Sequence, residues 1–210
     1  MYQLISATPS PYARKVRIAL AEKGLPFELL TEVPWDSTTN TPRYNPLEKL
    51  PILLLGDGTS VYESSYILQY LELKHPQMPL VPKDIDGHLA ARKLEVLCDG
   101  VCDAVVLSLF EKMRAGGGSP EWLARQRRRI EGGIAEMAGL VGKRQWAVGE
   151  TFSLGDIAVG TNQAVMVAPG CAARPLSQAQ AIAQAPPAKP LHATRNQPPC
   201  SSALMVKPGL

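Results

Sequence analysis

The run Ser10-Pro11-Tyr12-Ala13-Arg14-Lys15-Val16 has the makings of a helix that opens onto a ligand. It follows a short apolar strand, Tyr2-Gln3-Leu4-Ile5, after the loop Ser6-Ala7-Thr8-Pro9, and Pro11 supplies the fixed φ of a first helical residue. Ser10 therefore stands beside free amides and the positive end of a helix dipole, a place that favours an anion such as a thiolate. The same serine is also a good N-cap, and the two roles compete for one hydroxyl. Two further loops offer related chemistry. Tyr44-Asn45-Pro46-Leu47-Glu48-Lys49-Leu50-Pro51-Ile52 brings a proline to the opening of a strand. A cis bond before Pro51 would turn the main chain of Leu50 from the sheet towards a bound peptide, whereas a trans proline would be structural only. Tyr62-Glu63-Ser64-Ser65 begins a helix whose first amides are either open to a carboxylate or capped by Ser64.

The elements that must position these loops alternate between strand and helix. Strand one, Tyr2 to Ile5, is followed by a helix whose Val16, Ala19, Leu20 and Lys23 recur at helical spacing until Gly24 and Pro26 stop it. Phe27 to Glu32 is a second strand, expected parallel to the first because a single helix joins them. A polar stretch from Pro34 to Asn45 reads as loop or short helix. Pro51 to Leu55 and Thr59 to Tyr62 then form a hairpin around Asp57-Gly58, and a helix from about Ser64 to Lys74 buries Ile67, Leu68 and Leu71.

Pro76, Pro79 and Pro82 mark a stiff linker, and beyond it the pattern is helical. One helix covers roughly 86–114, Gly116-Gly117-Gly118 breaks it, and a second opens at Ser119-Pro120-Glu121. Two long helices with so short a connection pack antiparallel. A third starts at Ser153-Leu154-Gly155-Asp156, where the Ser153 hydroxyl is expected to accept from the amide of Asp156 while the carboxylate accepts from the amide of Ser153. The expected organisation is residues 1–76, a linker at 77–86, a helical domain at 87–168, and a Pro-, Ala- and Gln-rich tail at 169–210 that reads as disordered.

Composition narrows the classes. The chain has 210 residues, is 45% hydrophobic and carries a formal charge of +3, enough apolar material for a core without disulfides. Residues 161–210 hold four basic residues (Arg174, Lys189, Arg195, Lys207) and no acidic one, so 1–160 carry 3 − 4 = −1. The basic excess lies outside the part that reads as folded, which argues against a nucleic-acid partner. No apolar stretch is long enough for a membrane span, and Cys98, Cys102, Cys171 and Cys200 lack paired C-x-x-C spacing, so no metal is expected and a reducing, cytoplasmic setting is the default. Cys98 and Cys102, one helical turn apart beside Val101 and Val105, read as core, and Arg125, Arg127, Arg128 and Arg129 as a solvated face.

Taken in order, the Ser-Pro-Tyr-x-Arg-Lys-Val-Arg run, the Asn-Pro…Lys-Leu-Pro-Ile segment, the Tyr-Glu-Ser-Ser step and the Ser-Leu-Gly-Asp capping box resemble those of glutathione transferases over about residues 1–160. The resemblance implies an α/β thioredoxin-like N-terminal domain followed by an all-α C-terminal domain, a cis Pro51, and descent from a homodimer. It implies that Ser10 hydrogen-bonds the sulfur of glutathione, that Leu50 and Pro51 hold its cysteinyl backbone, that Glu63 and Ser64 bind the γ-glutamyl end, and that Lys49 meets the glycyl carboxylate. The partners would be glutathione as co-substrate and a small electrophile. A relative of the same fold that binds proteins without catalysis, like the stringent-starvation regulators, is the rival reading. The family's helical domain continues past the capping box. Here the pattern ends at about Thr161 to Gln163, with a composition that a shifted reading frame in GC-rich DNA would produce, and the product would then be inactive.

Overall fold

The computed structural model describes residues 1–165 and 189–190. The first domain runs β1 (Tyr2–Ser6), α1 (Pro11–Glu22), β2 (Phe27–Thr31), a 3-10 turn at Thr41–Arg43, β3 (Ile52–Leu54), β4 (Ser60–Tyr62) and α2 (Ser64–Lys74). A two-residue strand, β5 (Lys189–Pro190), completes a sheet of order β4-β3-β1-β2-β5. β1 and β2 are parallel, as expected, while β3 runs antiparallel to β1 and β4 antiparallel to β3. Apart from Lys189–Pro190, which pair with Leu30 and Thr31, the segment expected as a tail lies outside the described residues.

Pleating sorts the side chains of the central strands onto two faces. Leu4 and Leu53 enter the large core, whereas Ile5, Leu30, Ile52 and Leu54 form a smaller cluster on the other face, partly covered by Tyr44, Leu50 and Tyr62. Each fully buried Leu or Ile of this kind contributes about 1.5–3 kcal/mol. α1 ends where the amides of Gly24 and Leu25 reach back to the carbonyls of Ala21 and Leu20, a closure that needs the positive φ of Gly24 (63°).

The helical domain comprises α3 (Ile85–Met113), α4 (Pro120–Val141) and α5 (Leu154–Val165). α3 begins inside the segment expected as linker because the Asp84 carboxylate accepts from the amide of Gly87 and starts the helix there. α4 is capped by Ser119 and lies close on α3, where a Cβ at Gly133 would sit 2.4 Å from Val101 Cγ2. At α5 the expected capping box is corrected in one half. The Asp156 carboxylate accepts from the amide of Ser153 (3.0 Å), but the Ser153 hydroxyl donates to that carboxylate and the Asp156 amide goes to the carbonyl of Ser153. The other oxygen of Asp156 accepts from the amide of Ala147 (2.8 Å). Val16 and Leu20 of α1 share one continuous core with Leu94, Cys98, Val101, Met137 and Ile157. The fold is a thioredoxin-like domain followed by a helical domain, joined by a common core.

Candidate active site

Strand register gathers the three loops at one edge. Ile5 pairs with Ile52, and Ile52 with Tyr62, so the chain leaving β1, the chain entering β3 and the chain leaving β4 emerge side by side. β2 ends there too, being parallel to β1 with Ser6 beside Thr31, and the amide of Glu32 bonds to the carbonyl of Ser6 (3.0 Å). Ser10, Leu50, Pro51, Glu63 and Ser64 thus follow or precede one line of residues across the sheet, with Lys49 next to them.

Ser10 is half-buried at the N-cap of α1, and its hydroxyl oxygen accepts from the amide of Ala13 (3.2 Å). The expected competition between cap and thiol partner does not arise. A hydroxyl has two lone pairs and one hydrogen, so Ser10 can accept from the helix and still donate outward. Accepting from the amide polarises the O–H and strengthens it as a donor.

The Leu50–Pro51 bond is cis. Pro51 is buried, Leu50 is half-buried, and pairing of β3 begins only at Ile52, so the Leu50 main chain lies outside the ladder. Asn45, fully buried, secures the preceding loop by donating to the carbonyl of Lys49 (2.8 Å) and accepting from the amide of Leu47 (2.9 Å). Its side chain mimics a backbone turn, and Glu48 beside it takes a positive φ of 54°. Lys49 is exposed.

At α2, of the two alternatives left open for Ser64, the structure excludes the cap. The N-cap is Glu63, whose side chain makes no capping bond, and Ser64 is the first helical residue, 3% exposed. Glu63 holds φ at 69°, a left-handed conformation that costs a non-glycine residue about 1 kcal/mol or more. A strained start with no capping bond from Glu63 leaves the first amides of an eleven-residue helix without a side-chain acceptor among the described residues.

Behind these loops, α1 is tied to α3 by charge. Lys15 is 1% exposed, and its ammonium meets Asp99 at 2.6 Å and Glu95 at 3.4 Å, while Arg92 holds the other oxygen of Glu95 at 2.7 Å. Burial alone would push the Lys15 pKa down, but Asp99 and Glu95 outweigh it and the net shift is upward. Burial raises Asp99, with Lys15 opposing. One turn further along α3, Asp103 accepts from the Tyr12 hydroxyl, whose pKa burial and this hydrogen bond drive well above the ordinary value. Arg14, half-buried near Cys102, has its pKa lowered by burial, and its Nε and one terminal nitrogen are buried with no partner among the described residues. None of these residues was given a functional part by sequence reasoning. The repeat Glu95, Asp99, Asp103, one acid per helical turn, is the signal that points to them. Cys98 and Cys102 are buried, as expected. Among the described residues, no group of three or more His, Cys, Asp or Glu is placed to hold a metal ion, and no helix is long and apolar enough to cross a membrane.

Comparison with known proteins agrees with this geometry. The sequence profile of the glutathione S-transferase N-terminal domain matches residues 9–74. The GST-like protein YibF of Escherichia coli is 35% identical over 138 residues, covering 65% of this chain and 68% of its own. A glutathione S-transferase from Methylobacterium radiotolerans, solved with glutathione sulfonate, is 66% identical with a TM-score of 0.79 and covers 87% of this chain and 88% of its own. One from Methylobacillus flagellatus, solved with glutathione, is 38% identical with a TM-score of 0.74 and covers 79% of this chain and 82% of its own.

Proposed function

Because this chain belongs to the glutathione transferase family, we propose that its sheet edge binds glutathione and activates the thiol for attack on an electrophilic carbon. The single observation that carries the proposal is Ser10, at the mouth of α1, accepting from Ala13 while keeping a hydrogen to donate. Its O–H would donate to the sulfur and favour the thiolate. The helix terminus adds to the same effect. A free thiol titrates near 8.5, and lowering it by about two units is worth ~2.7 kcal/mol, roughly 100-fold in the acid dissociation constant. Main-chain groups of Leu50, ahead of Pro51, would hold the cysteinyl unit. Glu63, Ser64 and the uncapped amides of α2 would take the γ-glutamyl end, and Lys49 the glycyl carboxylate. The glutathione and glutathione sulfonate held by the two structural relatives support this ligand.

The apolar side chains of Ile85, Leu89 and Val96 fall on one stripe of α3 and are 70%, 59% and 70% exposed, with Tyr66 and Leu73 of α2 also exposed. A second copy of the chain covering them would make the protein a homodimer, and the cytoplasm is the compartment that supplies both glutathione and reduced cysteines. The test of function is the ultraviolet absorbance of bound glutathione near neutral pH. The wild type is expected to show thiolate and Ser10→Ala to lose it, with Ser10→Thr restoring it and affinity for glutathione little changed throughout. Equal thiolate absorbance in wild type and Ser10→Ala would leave Ser10 a cap, and no thiolate in either would leave the protein a binder.

A further inference from the structure

Residues 32–51, between β2 and β3, hold no regular element beyond the 3-10 turn at Thr41–Arg43, yet they deliver the Leu50 main chain to the site. A connection of that length keeps one shape only through bonds of its own. Its outer side leans on the helical domain, where the rings of Trp35 and Phe110 meet edge to face with centroids 5.5 Å apart, but both rings are open to solvent, at 63% and 41% exposure. The buried anchor is Glu32. It follows β2 directly, is 4% exposed, and its amide is tied to the carbonyl of Ser6 on β1 (3.0 Å). Its Oε1 accepts from the Thr39 hydroxyl (3.0 Å), while Oε2 is buried with no partner among the described residues. An acid costs more in so buried a place than a neutral side chain of its size, and its presence there needs a reason.

The acid fixes a direction, because a carboxylate only accepts. The one hydrogen of the Thr39 hydroxyl is committed to Glu32, so the 2.9 Å contact between the Thr39 and Thr41 hydroxyls is donated by Thr41, and the Thr41 amide donates to the same Thr39 oxygen (3.2 Å). Thr39 is then saturated and Thr41, fully buried, is held at both ends of its side chain and amide. The Thr41 carbonyl accepts the amides of Tyr44 and Asn45 (3.0 Å each), and the Asn45 side chain goes on to the Lys49 carbonyl and the Leu47 amide. The bonds run without a gap from the end of β2 to the residue before Leu50. Resting on the function proposed above, we propose that Glu32 is a positioning residue for glutathione, setting through Thr39, Thr41 and Asn45 where the Leu50 main chain meets the cysteinyl unit. Glu32 touches neither the ligand nor its sulfur in this scheme. It governs how tightly glutathione is held and not how acidic the thiol becomes, since Ser10 takes its own position from Ala13.

The chain is best cut in its middle, at the half-buried Thr39, where the side chain can change with Glu32 and Asn45 left in place. The experiment compares the full chain with Thr39→Val, Thr39→Ser, Glu32→Ala and the double variant Glu32→Ala/Thr39→Val. It measures glutathione affinity by calorimetry, thiolate absorbance at saturating glutathione, and hydrogen exchange of the Leu47 amide. Thr39→Val is expected to lose about tenfold in affinity and to exchange the Leu47 amide faster, with thiolate absorbance per bound glutathione unchanged, while Thr39→Ser stays within about twofold of wild type throughout. This is the reverse of Ser10→Ala, which loses thiolate and keeps affinity. Glu32→Ala is expected to match Thr39→Val, and the double variant to bind no more weakly than either single one, because both cut the same chain. If Glu32→Ala does not fold, Thr39→Val against Thr39→Ser decides alone. Unchanged affinity in Thr39→Val, no rescue by serine, additive losses, or thiolate lost together with affinity would overturn the positioning role and leave the glutathione reading standing. If wild type fails to bind glutathione, both fall together.

Discussion

At the cleft, the sheet domain presents groups fixed by their near neighbours, and the helical domain presents groups fixed from far away. Ser10 is set by an amide three residues on, and the Leu50 segment by a bond from Asn45 to Lys49, four residues on. On α3, Glu95 and Asp99 are held by Lys15 across 80 and 84 positions of sequence, and Asp103 by Tyr12 across 91. Loss of a local device is felt within its own few residues, as at Asn45, whose two bonds both end inside one loop. The charged seam has less reserve, because removing Lys15 takes the cation from Asp99 and leaves Glu95 with Arg92 alone in a poorly hydrated place.

Breaking the seam is thus expected to have the largest effect. Lys15→Met takes the cation from Asp99 and leaves Glu95 with Arg92 alone, and should lower stability in urea unfolding by about 3–4 kcal/mol. Titration should remove part of the same contribution in the wild type. Lys15 and Tyr12 both have folded pKa values raised above their ordinary 10.5 and 10.0, so their contribution is complete below about pH 10 and is lost as pH rises through the folded values. Melting temperature against pH should fall on the alkaline side in wild type and more shallowly in Tyr12→Phe. Asp156→Ala, which frees the amides of Ala147 and Ser153 inside the helical domain, should cost about 3 kcal/mol in the same urea assay. Ser10→Ala sharpens the contrast from the sheet side, with about 1 kcal/mol lost for the cap and the Leu50 and α2 geometry kept. Arg127→Ala, at an exposed pair with Glu131 on α4, should leave the unfolding midpoint unchanged.

The same division explains what could be read in advance. Helix and strand limits followed from proline, glycine and apolar spacing, and the stop of α1 at Gly24 is a local event that a sequence displays. The loops of the candidate site were legible for the same reason, since each is a short run with its own turn chemistry. One detail at a helix start was misjudged: the Ser153 hydroxyl was expected to accept, and the carboxylate of Asp156 draws it as a donor. At Ser64 the sequence left cap and ligand contact both open, and Glu63 occupies the cap of α2. Lys15, Tyr12, Trp35 and Phe110 escaped notice because their partners lie in the other domain. A lysine in an otherwise apolar helix face reads as solvated until three-dimensional packing brings Asp99 against it.

α3 is a single rod of 29 residues, about 43 Å long, held against α1 near its middle by the pairing of Asp99 with Lys15. Such a rod works as a lever. Phe110 lies eleven residues beyond that fulcrum, about 16 Å away, so a tilt of about 5° would swing it through roughly 1.4 Å. A load applied on Ile85, Leu89 and Val96 at the opposite arm would be transmitted mechanically to the mouth of the cleft.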